Sequence, residues 1–254
     1  MMLRVLTLNI RLGGAGRHDL ILSVLREQRP DVIVLQEVVR SRFVEQAAQE
    51  LEMQLALPNG YYRQRVAVLS RFPIRRSKGY SLFPAECNVL RSETEFGTGQ
   101  SLTIFGLHLT ASSHMSALEV VRLYQARYLR RLLRSSGPAT ILAGDLNAVA
   151  RGDTVDLHRM PLRYRSLLRL QGGRYVSWAV PELEKAGFVD AFRMLHPDEP
   201  GHTLPAHDPH IRLDYILVPK RMRERIKRCE PVRTPESVRR ASDHLPVMME
   251  IELD

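Results

Sequence analysis

The chain of 254 residues contains only two cysteines, Cys87 and Cys229. That excludes a disulfide framework and a zinc ribbon, both of which need ligands in close pairs, so two free thiols in a reducing compartment are expected. Tryptophan occurs once, at Trp178, and aromatic residues make up 6% of the chain, with no cluster on which successive nucleobases would stack. No apolar run approaches the roughly 18 residues of a membrane span. The opening MMLRVLTLNI enters an alternating strand pattern at once. It offers no basic region, long apolar segment or small-residue cleavage site, so export is not expected. Internal repeats and low-complexity linkers are also missing. A soluble, monomeric protein of the cytoplasm is the expectation.

What the chain does have is positive charge. Lys plus Arg number 37 against 28 Asp plus Glu, a formal net charge of +9, with arginine supplying most of the excess. Such a balance favours nucleic acid, an anionic membrane or a phosphorylated substrate, and it equally serves solubility alone. Two runs concentrate it, RYLRRLLR at Arg127–Arg134 and KRMRERIKR at Lys220–Arg228. Their meaning depends on where they lie relative to an active site.

Hydrophobic periodicity alternates strands with helices. Met2–Ile10, Asp31–Val38, Arg65–Ser70, Ser101–Leu109, Arg212–Val218 and Pro246–Leu253 read as strands, with less regular strands between 70 and 101. Asp19–Gln28, Ser41–Leu55 and Ser116–Leu133 read as amphipathic helices, and Arg151–Pro209 as more irregular chain. Strands and helices intermix throughout, which predicts one α/β sandwich over residues 1–254 and not two domains.

The stretch ILAGDLN, Ile141–Asn147, ends an apolar strand at Gly144 and presents Asp145 and Asn147 on one face. Alone it reads as an ordinary turn. The same ending recurs: Asn9 closes the first strand, Gln36 and Glu37 the second, and His108 closes FGLH. Asp214 interrupts RLDYI, and Asp243 and His244 precede the last strand. If these ends meet at one rim, burying so many carboxylates without a cation is very costly, and a divalent metal is the economical partner.

In this order, LTLN, DVIVLQEV, VAVLSRFPI, GLHL, AGDLN, RLDYI and SDHLPV resemble the endonuclease/exonuclease/phosphatase (DNase I-like) family of metal-dependent phosphoesterases, over nearly the whole chain. Arg122 and Gln125 fit its helix pattern after the His-Leu pair. The resemblance implies a four-layer α/β sandwich, two packed mixed β-sheets flanked by helices, with the active site at the sheet rims. Glu37, Asp243 and the amide oxygen of Asn9 would then supply hard oxygens to Mg2+ or Mn2+. Asp145 would activate water beside Asn147, while His244, oriented by Asp214, and His108 would donate to the phosphoryl group. Whether Asp145 or the His244–Asp214 pair takes the water's proton stays open. The substrate class expected is nucleic acid; the alternatives are a small phosphorylated metabolite or a lipid head group, as in inositol phosphates or sphingomyelin, and, ranked lower, a noncatalytic binding module. Gly13–Gly16 lacks the Lys-Ser/Thr of a phosphate loop, and His202, His207 and His210 read as an irregular loop and not as zinc ligands. Arg71 and Trp178 read as structural.

Overall fold

The run Val32–Val38 is apolar at every position through Leu35, so neither of its faces suits water, and the computed structural model buries both. It describes residues 1–59, 65–82, 88–97, 99–111, 119–137, 139–162, 165–166 and 178–253; Cys87 lies outside them. From edge to edge, the first six-stranded sheet contains Ile226–Pro231 (β11), Val247–Glu252 (β12), Met2–Asn9 (β1), Val32–Val38 (β2), Arg65–Ser70 (β4) and Gln54–Ala56 (β3). The second contains Ile74–Tyr80 (β5), Val89–Phe96 (β6), Gln100–His108 (β7), Thr140–Asp145 (β8), Asp214–Pro219 (β10) and Phe188–Asp190 (β9). Each sheet is mixed, with one parallel pair at its centre, β1 with β2 and β7 with β8, among antiparallel neighbours.

Alternation along the strands builds three apolar layers. Val32 and Val34 point between the sheets, where they join Ile104, Ile141 and Ile216 in one core. Ile33 and Leu35 point outward into a second core with Ile21 and Leu25 of helix His18–Gln28 (α1) and Phe43 and Val44 of helix Ser41–Glu50 (α2). On the opposite outer face, Phe105, Leu107 and Leu142 pack with Ala126 and Leu129 of Glu119–Leu133 (α3) and Leu183 of Ala179–Lys185 (α4). The short helices Ala191–Leu195 (α5) and Val238–Ala241 (α6) complete the inter-sheet and first outer cores. The result is the expected four-layer sandwich.

Two expectations need correction. The helix expected through Leu55 ends at Glu50, because Glu52 turns into the left-handed region at φ 55°. The Met53 N–H then returns to Ala48 O at 2.8 Å, a helix-stop geometry that releases Gln54–Ala56 to pair with β4. The stretch expected to be irregular contributes α4, β9 and α5, each only 3 to 7 residues long, too short for periodicity to register.

Gly106 on β7 sets how closely the sheets approach. A Cβ there would lie 2.6 Å from Val66 Cγ1 and 2.9 Å from Val34 Cγ1 of the opposite sheet. Gly106→Val is expected to destabilise the protein by about 1–3 kcal/mol through overpacking, read as a thermal midpoint several degrees lower. Gly137→Ala, whose added methyl meets open space, is the control expected to shift it little.

Candidate active site

Parallel pairing brings the strand ends together. β1 and β2 run side by side with Asn9 opposite Gln36, and β7 and β8 with His108 opposite Asp145. β10 enters antiparallel at the same edge, so Asp214 faces Asp145. β12 pairs Val247 with Thr7, which puts the preceding Asp243 and His244 at this edge too. One rim of the sandwich therefore receives every expected site residue.

Asp145 is the centre, with 1% of its surface exposed. Its Oδ1 accepts from the Asn147 backbone N–H at 2.8 Å and its Oδ2 from Asn9 Nδ2 at 3.1 Å. His108 Nε2 and His244 Nε2 stand 3.8 and 3.9 Å from the same Oδ2. Burial pushes the Asp145 carboxyl above its ordinary range, with the nearby Asp214 acting the same way against the two histidines. Burial alone would discharge His244, but the Asp214 carboxylate, a hydrogen bond to it at 2.9 Å from Nδ1, and Asp145 and Asp243 outweigh that and raise the imidazole to about 10. His244 is thus an imidazolium anchored through Nδ1, with Nε2 toward Asp145. Ligand atoms of Asp145, Asp214 and His244 lie within 4.8 Å of one another. The three are close enough for one cation to span them, and the Asp214–His244 hydrogen bond ties two of them together.

A second group gathers on the β1–β2 side. Glu37 sits at a bulge in β2, with its backbone at φ 58°, and this turns the carboxylate out of the ladder. Its Oε1 accepts from Asn9 Nδ2 at 3.2 Å and its Oε2 from Leu12 N–H at 2.7 Å. The Asn9 oxygen accepts from Arg11 N–H at 2.9 Å, which leaves its second lone pair free for the expected cation. The amide nitrogen is the end that quiets two facing acids, so Asn9 braces Glu37 against Asp145. Asp243 pairs with Arg11 Nε at 3.3 Å, and Ser242 Oγ ties this segment to Asn9 O at 2.6 Å. Arg11, Leu12, Gly13 and Gly14 all have positive φ, from 49° to 73°. Non-glycine residues held so cost of the order of 1–3 kcal/mol each, and here the strain aims the Arg11 and Leu12 N–H groups at Asn9 and Glu37.

Other side chains hold this geometry, and few of them announce that role in the sequence. Arg212, 1% exposed, grips Asp153 through Nε at 2.8 Å and Nη2 at 3.0 Å and also pairs with Asp190. Tyr215 Oη accepts from Ala150 N–H at 2.9 Å and donates to Ala148 O at 2.8 Å. These two residues lie on either side of Asp214 and pin the loop leaving Asn147; their place in RLDYI was the available signal. Gln125 and Arg122 hold the chain after His108, with Gln125 accepting from Thr110 N–H and Arg122 donating to Thr110 O, both at 3.1 Å. Gly144 allows β7 and β8 to meet, since a Cβ there would fall 1.9 Å from Leu107 O. His202 and His210 bond to backbone carbonyls, Thr154 O and Asp208 O, and Arg71 to Pro30 O. Each is structural, as expected.

The two basic runs do not flank the rim. β10 starts there at Asp214 and reaches Pro219 five residues later, about 17 Å away at the usual strand rise. Lys220–Arg228 therefore begins at the far edge. α3 returns the chain from the His108 end to the start of β8, so Arg127–Arg134 also falls toward that edge. Arginines that do stand near the site's carboxylates, Arg11 beside Asp243 and Arg40 three residues after Glu37, belong to neither run.

A sequence model of the endonuclease/exonuclease/phosphatase family matches residues 6–244, whereas no curated protein matches the chain. Solved structures share the fold. An AP endonuclease from Archaeoglobus fulgidus superimposes with a TM-score of 0.75 at 18% identity, covering 99% of this chain and 100% of its own. The 3'-5' exonuclease NExo from Neisseria meningitidis gives 0.75 at 19% over 99% and 100%. TDP2 from D. rerio, complexed with single-strand DNA product, gives 0.69 at 17% over 99% of each chain. The rim of acids, amides and histidines thus lies within a match that spans nearly the whole sequence, and the chain belongs to the endonuclease/exonuclease/phosphatase family.

Proposed function

We propose that the protein, over residues 1–254 as one catalytic unit, is a divalent-metal-dependent phosphodiesterase that hydrolyses nucleic acid. The observation that carries this reading is Asp145, a buried carboxylate facing two imidazoles across one oxygen at a rim where further acids converge. The residues fit a hard cation: Glu37 and Asp243 offer oxygens, and buried Asp214 Oδ1 has no hydrogen-bond partner among the described residues. Glu37, Asp243 and the amide oxygen of Asn9 would hold Mg2+ or Mn2+, with the Asn9 nitrogen bracing Glu37. When bound, the cation neutralises phosphate and leaving-group charge.

The chain's own groups do the rest. Asp145 takes the proton of the attacking water. Asn147, whose Nδ2 is held by Leu109 O at 3.1 Å, turns its amide oxygen to orient that water. His244 donates to the phosphoryl oxygens through Nε2 because Asp214 holds Nδ1, and His108 is the second donor. Nucleic acid as substrate is supported by the similar structures, one an AP endonuclease and one complexed with single-strand DNA product. The far-edge position of the basic runs favours a short footprint, and so keeps small phosphoesters as the second reading.

Hydrolysis across abasic duplex, plain duplex, single strand, RNA, phosphotyrosyl DNA, inositol phosphates and sphingomyelin separates these readings. Turnover of a nucleic acid with Mg2+ or Mn2+, lost in chelator, is expected. Glu37→Gln is expected to raise the metal concentration for half-maximal rate at least tenfold. Turnover that survives chelation contradicts the metal, turnover confined to small phosphoesters moves the substrate, and no turnover at all leaves a binding module.

Asp145→Asn is expected to lower kcat by about 10²–10⁴-fold, the range for loss of a general base, while circular dichroism and the metal requirement stay near wild type. A variant that keeps most of its kcat would transfer proton abstraction to the His244–Asp214 pair.

A further inference from the structure

The basic run of α3 divides between two faces of the helix. Arg130 turns toward α4, where it pairs with Glu182 at 3.1 Å. Arg127, Arg131 and Arg134 follow one another at four and three residues, the spacing that places side chains on one helical face. All three are exposed, and among the described residues none of their guanidinium groups has an ion-pair or hydrogen-bond partner. Other exposed arginines are neutralised: Arg26 pairs with Glu50, Arg75 with Glu95 and Arg228 with Glu230. The sole acid of α3, Glu119, is buried against Arg122 and offsets nothing on this face.

The same stripe continues toward the active rim. Tyr124 precedes Arg127 by three residues and Val120 precedes Tyr124 by four, and they are 54% and 58% exposed. Gln125, next to Tyr124, holds the chain after His108 through Thr110 N–H, so this end of the helix lies beside the rim. The Arg134 end lies toward the opposite edge, about 15 Å further along at the rise of an α-helix. Like charges at i, i+4 oppose helix formation. Solubility calls for charges of both signs interspersed, and it does not call for three cations in line behind an exposed aromatic ring.

We infer that this stripe of α3 is a track for single-stranded nucleic acid, along which a strand leaving the rim lays one base on Tyr124 and its following phosphates on Arg127, Arg131 and Arg134. The inference rests on the nucleic-acid phosphodiesterase reading and adds to it the path of the strand outside the catalytic rim. A single strand fits because its bases are free to stack on a ring, whereas a duplex keeps its own inside. The footprint at the rim itself stays short. The track acts only on a strand long enough to reach α3, and so makes the protein favour long strands over short ones.

The test compares a long oligothymidylate with the tetranucleotide. Binding is followed by fluorescein anisotropy with Ca2+ in place of Mg2+, and hydrolysis by kcat/KM with Mg2+. The triple variant Arg127→Glu/Arg131→Glu/Arg134→Glu is expected to raise Kd for the long strand at least tenfold. It should also flatten the slope of log K against log salt by about 0.7 for each phosphate no longer neutralised, and lower the ratio of long-strand to tetranucleotide kcat/KM at least tenfold. Glutamine at the same three positions, which adds no repulsion, should act in the same direction. Tyr124→Ala is expected to weaken long-strand binding about fivefold or more, and Tyr124→Phe to restore it. A control matched in net charge, Lys220→Glu/Arg223→Glu/Lys227→Glu, lies off the stripe and should leave the ratio near wild type. An equal effect of the control, or an equal loss on both substrates, overturns the track. So does vesicle binding through phosphatidylserine that the triple variant loses while its long-strand Kd holds, because the stripe then faces a membrane. Hydrolysis of nucleic acid by the wild type with no preference for length overturns the track and leaves the phosphodiesterase reading standing. Long-strand binding that responds to the reversals without hydrolysis of any phosphoester overturns that reading and keeps the track.

Discussion

Two carboxylates, Asp145 and Asp214, face each other across β8 and β10 with almost no exposure to water. Burying such a pair is costly unless positive charge and hydrogen-bond donors surround it, and much of the rim answers that constraint. The His244 imidazolium stands between them, Asn9 presents its nitrogen and not its oxygen, and the Asn147 N–H turns back onto Asp145. The compensation is incomplete, since Asp214 Oδ1 and His108 Nε2 are buried with no hydrogen-bond partner among the described residues. Polar capacity of this kind, left over inside a fold, is what a substrate phosphate, a water and a cation would complete.

The frame that imposes this constraint is simple. Each sheet has a central parallel pair, and parallel strands end on the same side, so the ends of β1, β2, β7 and β8 share an edge. The antiparallel β10 and the segment before β12 join it from the other direction. Strain is concentrated there as well: Arg11, Leu12, Glu37 and Asn147 all hold positive φ. A rigid core below, filled on both faces of β2 and β7, keeps those residues in conformations they would otherwise leave. Arg212 and Tyr215 do the same for the loop beyond Asn147, so the residues on either side of Asp214 secure the partner strand's exit.

Much of this was legible in the sequence because the signals were local. DVIVLQEV shows a buried strand with an acid at its end, and ILAGDLN shows a strand that stops at Gly144 and then presents paired polar groups. Interactions between distant segments were not legible. Arg212 meets Asp153 from 59 positions away, and nothing in RLDYI names that partner. The bulge that turns Glu37 and the orientation of the Asn9 amide are set by neighbours brought in by folding. The place of the basic runs was not legible for the same reason: composition registers a charge but not the edge of the sheet on which it lies, and Arg11, which stands beside Asp243, belongs to no run at all.

The proposed hydrolysis divides the acids of the rim, with Glu37 and Asp243 for the cation and Asp145 for water. Anomalous diffraction from crystals grown with Mn2+ and without substrate tests it most directly. A manganese peak bonded to Glu37, with Asp145 hydrogen-bonded to a water and outside the metal's coordination, is the expected result. A peak held by Asp145, Asp214 and His244, with Glu37 free of metal, would contradict it.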